Sequence, residues 1–535
     1  MTSPTSWATR VAGVITQSAP HQVGVVPVVY PLIEALGIRT TINALRPSQA
    51  EIDLGRVIEI LVLNRLMAPQ PLYQVGEWAD KTVVVSMFGL SMEQLYDQRF
   101  GRALDELHAW LGKAWAQIAA GAVQHEGVDL SVLHWDTTSV YLEGAYEESD
   151  WAEYGHSSDG HADHKQVKLG VDVTSRERVP FLYELLGGAT ADITTPAPHL
   201  EAIAAFLQRP ECADLAVHPL VVGDCKMITP AAVAAAHSHH LYYLGPWETS
   251  HTVQAVIRSV SPAEWQEAKA ELDYRPQRRF PAAQPFVPYR GVWRPFTVSS
   301  AGQTYADRAL VVWSAGKQRL DEDKRKTYLK ALLNRLSEIR KHLNRGRYIR
   351  REYAAQQVAL AQRGNPAHGL VSVELSGADR ALTLSFHLDR DALAEAQALD
   401  GKYLLGTNAP YLSASDALTH FKAQDSVEKS NAYLKGPLRV RPLFVHTDAR
   451  IEGLVFVTLL ALLVRALLEL RCRRAGLAYS AEKILEAFAT LYATHLLFVD
   501  GSRYAQLGAL TDFQQRVLDG LQFPSPTRYL DCLHG

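Results

Sequence analysis

The sequence predicts a mixed α/β protein: a helical N-terminal region, an α/β core, and a β-rich insertion that carries a long helix. Three observations predict it. Apolar residues over 1–125 recur at helical spacing. Near residue 128 the texture changes to short β-branched runs alternating with helices, the signature of a mixed sheet. From residue 246 a proline-rich and then strongly basic stretch separates that pattern from a last apolar helical segment.

The elements follow in order. GRVIEILVLNRLM (55–67) reads as a buried helix, and APQPLYQVGEWAD (68–80) as a proline-containing joint before a short one. RALDELHAWLGKAW (102–115) sets Leu104, Leu107, Leu111 and Ala114 on one helix face. SVLHWDTTSVYLEG, KQVKLGVDVT (165–174) and VPFLYELLGG (179–188) read as strands, and TTPAPHLEAIAAFLQR (194–209) as a helix. LAVHPLVVGD (215–224) reads as a strand ending in an aspartate, TPAAVAAAHSH (229–239) as a helix, and LYYLG (241–245) as a strand. Five prolines make 274–296 an irregular or edge-strand region. RALVVW (308–313) and ALTLSFHL (381–388) are strands, with a basic helix over roughly 318–362 between them. Helices over 415–435 and 448–471 follow. The expected regions are therefore 1–127, 128–245, 246–410 and 411–535, the second and fourth forming one core around the third.

Composition bounds the function. The 535 residues are 47% hydrophobic and 21% charged, ordinary for a folded soluble protein. A net charge of −3 gives no global nucleic-acid signature, so any DNA-binding surface must be local. Four scattered cysteines form no CxxC pair, which argues against a zinc ribbon or disulfide framework and suits a reducing cytoplasm. No signal peptide is expected at the N-terminus. IEGLVFVTLLALLVRALLELR (451–471) is interrupted by Arg465 and Glu469, and its uninterrupted apolar run is short of the ~20 residues a span needs. A buried core helix, with no membrane partner, is the expectation.

Chemistry centres on three acids. Asp136 sits inside the apolar run SVLHWDTTSV, where strands select against aspartate and burial of an unpartnered carboxylate is costly. Asp224 ends VVGD. Carboxylates on strands of one sheet can converge at its edge and hold divalent cations, which take oxygen ligands. The helix DALTHFKAQDSVEKSNAYLKGPL offers Glu428, with Lys435 two turns later on the same face. Taken singly, a strand aspartate is usually a solvated edge residue, and a helical Glu–Lys pair usually surface. Together they suit a phosphodiester substrate, with metal on the reacting phosphate and ammonium on its neighbour.

These residues resemble the insertion-sequence DDE transposases of the insertion-sequence-four superfamily. LHWDTTSV resembles the family's first acid motif. YGHSSDGHADHKQVKLGV (154–171) and GATAD (188–192) are similar to the stretches that follow it, and VVGDCKMIT to the second acid motif. The third resembles the Y-R-E-K signature, with Phe421, Gln424, Glu428 and Lys435 at its four positions. Phe421 and Gln424 depart from the signature, and so does Lys226 after the second acid. PLRVRPLFVHTDARIEGLVFVTLLALLV (437–464) and the LNRL and PLYQV segments extend the likeness over nearly the whole chain.

The resemblance implies an RNase H-like core interrupted by the insertion domain. It implies Asp136, Asp224 and Glu428 as catalytic metal ligands for two Mg²⁺ or Mn²⁺ ions per active site. The implied activity is hydrolysis at the element's ends followed by strand transfer into target DNA. The implied partners are terminal inverted repeats, target DNA and a second copy of the chain in a synaptic complex. The implied setting is the cytoplasm of a bacterium or archaeon, at the nucleoid. Lys435, Gln424, Arg439 and Arg441 are the expected DNA contacts near the acids, and the N-terminal region the expected end-binding part.

Segment 317–353 has thirteen basic residues against five acids, a local balance of +8, and Leu329, Leu332, Leu333, Leu336 and Ile339 stripe one face. Its Arg340, Lys341, Arg345 and Arg347 are candidate phosphate contacts; the bland alternative is a solvated helix face. Two histidine groups, His156/His161/His164 and His237/His239/His240, show no cysteine or acidic partner spaced to complete a zinc site. His134 and Asp192 near the motifs read as structural. Trp247, Trp293 and Trp313 could stack on an extruded base but fit core packing better. The rival functions are a catalytically silent DNA-binding relative and a stand-alone metal-dependent nuclease.

Overall fold

The computed structural model describes residues 15–155, 160–161, 163–215, 217–224, 226–268, 289–499 and 501–530. The chain divides into two compact units, one of residues 1–223, 235–242 and 423–535, the other of residues 224–234 and 243–422.

The first unit carries β1 (Ile15–Gln22), β2 (Val132–Tyr141), β3 (Gln166–Thr174), β4 (Pro180–Gly187) and β5 (Leu220–Val222). The last four form a mixed sheet in the order β4-β3-β2-β5. β2 runs antiparallel to β3, with Asp136 opposite Val171, and parallel to β5, from Val132↔Leu220 to His134↔Val222. All nine residues of β3 are buried, although Val167, Leu169, Val171 and Val173 alternate with the polar Gln166, Lys168, Asp172 and Thr174. β5 is far shorter than the expected 215–224 strand. Residues 210–215 form a 3₁₀ turn, Pro219 lacks an N–H, and Asp224 lies two residues past the strand end.

Helices Leu54–Met67, Asp97–Leu107 and Leu111–Glu126 pack around the helix Asp448–Arg474. That helix is long and apolar enough to cross a membrane, but 94% of its most apolar stretch is buried within the protein. Its buried Arg465 pairs with Glu482 at 2.9 Å and lies 3.2 Å over the Tyr433 ring. Arg450 at its start pairs with Asp105, and Arg471 near its end with Glu126. These three arginines thus serve as ties within the unit.

In the second unit, β6 (Tyr242–Pro246), β7 (Tyr289–Ser300), β8 (Gln303–Ser314) and β11 (Lys402–Thr407) follow the order β6-β11-β8-β7. β7 is an edge strand, which accommodates Pro295. The rest of the proline-rich stretch, 274–288, lies outside the described residues. β9 (Val371–Ser376) and β10 (Thr383–Leu388) form a hairpin whose Val371 and Leu384 pack with Leu332, Leu336 and Ile339. The basic helix is two helices, Ala315–His342 and Arg351–Gln362. Asn344 (φ 62) and Gly346 (φ 53) adopt left-handed backbone between them, which ends the first helix.

β12 (Tyr492–Phe498) and β13 (Arg503–Leu507) complete a small antiparallel sheet in the first unit, with β1 beside β12. β1 corrects the all-helical expectation for residues 1–125. Its ITQSAPHQ has no helical apolar period, and Pro20 disfavours a helix interior.

Candidate active site

Asp136 is half-buried at the middle of β2, two residues past the last β2–β5 pair. β2 there has run past its parallel neighbour. The expected 415–435 helix breaks in two, Ala414–Lys422 and Asp425–Lys435, where the Ser426 N–H bonds back to Ala423 O. The second piece packs on β2 and β3. Gln424 donates through Nε2 to Trp135 O at 2.8 Å, and its Oε1 lies 3.0 Å from His134 Nδ1. Seven residues on, Asn431 Nδ2 donates to Asp136 Oδ2 at 3.0 Å. Asp136 Oδ1 accepts its own neighbour's Thr137 N–H at 2.9 Å.

Glu428 lies one turn from both Gln424 and Asn431, so two side chains anchored to β2 bracket it. Glu428 is exposed, and its carboxylate has no hydrogen bond or ion pair among the described residues. Lys435 follows two turns later, half-buried. Asp224 begins the second unit, is exposed, and accepts the Lys226 N–H at 2.9 Å.

Gln424 corrects the expectation of a phosphate contact. It is buried, and both ends of its amide are used inside the protein. Asn431 is the site residue that the sequence reading missed; the available signal was its place three residues after Glu428 on the Lys435 face. We expect Gln424→Ala to cost about 1–3 kcal/mol, because it strands Trp135 O and His134 Nδ1. If the chain is tested on DNA, the salt dependence of any binding should not change, and a flattened slope would restore the phosphate role.

Beneath β2 lies a buried charge cluster. His199 Nε2 is 3.1 Å from Asp172 Oδ2, and its Nδ1 bonds Glu184. The imidazole stacks on Trp135, the residue before Asp136, at 4.3 Å between ring centres. Burial opposes the imidazolium, but the two carboxylates outweigh it and push His199 up to about 9. Asp192 is tied to Lys168.

The histidine expectation also needs correction. Ligand atoms of His161, Asp163 and His164 lie within 4.8 Å of one another, so an acidic partner does stand between two of these histidines. His156 lies outside the described residues. The tryptophans are packed: Trp247 against Phe296, Trp293 under Arg308, and Trp313 bonded to Gln318.

A cavity of about 710 Å³ in the first unit is lined by Arg65, Arg102, Arg439, Arg441 and Arg450, with Asp97 the one carboxylate in its wall among the described residues. Thus Arg439 and Arg441, expected near DNA, are gathered with three arginines from elsewhere in the chain.

A family described as a domain of unknown function, DUF4277, matches residues 19–119. No curated protein matches the chain. Among solved structures, a piggyBac transposase synaptic complex with hairpin DNA is similar at a TM-score of 0.40 and 8% identity, covering 89% of this chain and 82% of that one. A Mos1 transposase paired-end complex with left transposon end is similar at a TM-score of 0.16 and 12% identity, covering 37% and 60%. Likeness this slight fixes neither the fold nor the activity of this chain.

Proposed function

We propose that this chain is a DDE transposase of the insertion-sequence-four superfamily, built on an RNase H-like core. It moves an insertion sequence by cut-and-paste: phosphodiester hydrolysis at the terminal repeats, then strand transfer into target DNA, as a homodimer on two ends. The observation that carries the reading is the tie from Asp136 through Asn431 to the helix of Glu428. It joins a mid-strand acid to a helical acid far away in sequence. Asp224 follows β5, the parallel neighbour of β2.

The donors suit Mg²⁺. All three acids offer hard oxygen ligands, none is fully buried, and Asn431 Oδ1 is a buried oxygen beside Asp136 with no hydrogen-bond partner among the described residues. Asp136, Asp224 and Glu428 would hold the ions, which when bound neutralise charge developing on the reacting phosphate. The chain's own parts do the positioning. Asn431 orients the Asp136 carboxylate, Gln424 pins the helix to β2, and Lys435 offers an ammonium to a neighbouring phosphate. Plasmid DNA carrying the element's ends should be cut in Mg²⁺ and left intact in EDTA. Cutting in EDTA would overturn the reading.

The basic joint of the second unit supplies a DNA-facing surface on this reading. Several cations of the segment are already paired, among them Arg325 with Asp400 and Lys341 with Glu338. Arg345 and Arg347 are exposed, with no ion pair among the described residues, and Arg340 lies over Phe386 at 4.7 Å. Changing Arg340, Lys341, Arg345 and Arg347 together to Gln should flatten log K against log salt by about 0.9 per lost phosphate contact, roughly one to four units in all. Preference for the element's ends should change less, since phosphate contacts position and base contacts specify. An unchanged slope in the folded variant would place this surface away from DNA.

A further inference from the structure

The arginine-lined cavity has features that the three acids do not explain. Arg450 is satisfied by a bidentate pair with Asp105, while Arg65, Arg102 and Arg439 line the same wall with Asp97 as its one carboxylate among the described residues. An anionic ligand is therefore favoured. Arg65 is buried, and donates to Arg439 O at 3.2 Å and Gln70 O at 3.5 Å. Burial lowers its pKa to about 10, so it stays charged at neutral pH and is held in place before any ligand arrives. Arg439 adopts a left-handed backbone (φ 45), a strained conformation for a residue with a side chain, in the wall of the cavity.

Two aromatic rings stand in the same wall without being buried: Tyr73 is 67% exposed and Phe444 46%. Exposed rings beside clustered arginines suit stacking on a base, since every base has a π face and arginine adds its charge. Size narrows the ligand. About 710 Å³ is the volume of a small-molecule site. It matches an unpaired nucleotide and is too small to enclose a duplex. Position narrows it further. Leu443 bridges Leu142 just past the end of β2, and Arg441 lies 5.6 Å over the Tyr141 ring. The cavity wall therefore abuts the strand that holds Asp136.

We infer that this cavity is a subsite for an unpaired nucleotide of the DNA substrate. The base stacks on Tyr73 and Phe444, and the phosphates meet Arg102 and Arg439 with the fixed charge of Arg65 behind them. The inference rests on the DNA-processing reading and adds to it where an unpaired strand sits.

The test uses the full chain and a single-stranded pentanucleotide containing 2-aminopurine. Binding should quench the fluorophore, as stacking does. Tyr73→Ala should reduce the quench and weaken binding roughly 5- to 150-fold, the value of one base–aromatic stack. Tyr73→Phe should keep both. Arg439→Gln should flatten the salt dependence by about 0.7 for the single strand. Tyr73→Ala binding and quenching like wild type would overturn the inference. So would a mononucleotide binding as tightly as the pentanucleotide, which would mark a metabolite site. Strand transfer assayed in parallel separates the two claims: a chain that transfers strands but shows no quench loses the subsite and keeps the transposase reading.

Discussion

Asp136→Asn should lower DNA cleavage at least about a thousandfold, roughly 4 kcal/mol of barrier, while the protein melts within a few degrees of wild type. The substitution removes the negative charge and keeps the shape. Its carbonyl can still accept from Asn431, the bond that ties β2 to the helix of Glu428. Asp224→Asn and Glu428→Gln should act alike, with even less effect on folding, since both acids are exposed. End binding in a gel-shift assay should survive in all three. Wild-type cleavage by any one of them would remove that residue from the proposed metal site.

His199→Leu should destabilise the first unit by about 3–5 kcal/mol, because it leaves Asp172 as a buried acid without its cation. Wild-type stability should itself depend on pH. A histidine raised from 6.5 to about 9 contributes stability that is full below about pH 6.5 and is lost as pH rises through 9. The loss amounts to at most about 3 kcal/mol. Urea titrations at pH 6 and pH 9.5 read both effects: the wild type should lose stability between them. A wild type equally stable at both pH values would show that the imidazole is not held charged. The consequence reaches the site, because Trp135, stacked on His199, also gives its carbonyl to Gln424.

The strands β2, β3 and β4 and the core helix Asp448–Arg474 were legible because their patterns are local: β-branched runs with turn residues between them, and one long apolar run. β1 was not legible, because its partner β12 is almost a chain length away, with Ile15 opposite Phe498. The joint at 343–350 was masked by leucines and arginines that suit a helix on either side, and only Gly346 and Asn344 mark it. Within the candidate site, Asp136, Glu428 and Lys435 could be singled out by residue type and spacing. Gln424 and Asn431 could not be assigned their tasks, since an amide facing β2 and one facing solvent look alike in sequence. The same holds for His199, whose partners Asp172 and Glu184 come from two different strands. Arg65 lies in the segment GRVIEILVLNRLM, whose sequence marks only a buried helix, and the fold places it in the wall of a cavity with four other arginines.

The most direct measurement is strand transfer of a pre-cut element end into supercoiled plasmid in Mg²⁺, with wild type and Asp136→Asn side by side. The account predicts end-joined, linear or nicked target products from wild type, none from the variant, and none from wild type in EDTA. Binding without any joining would identify a DNA-binding protein, and cutting without joining a nuclease. Equal joining by Asp136→Asn would contradict the assignment of the strand acid on which the account is built.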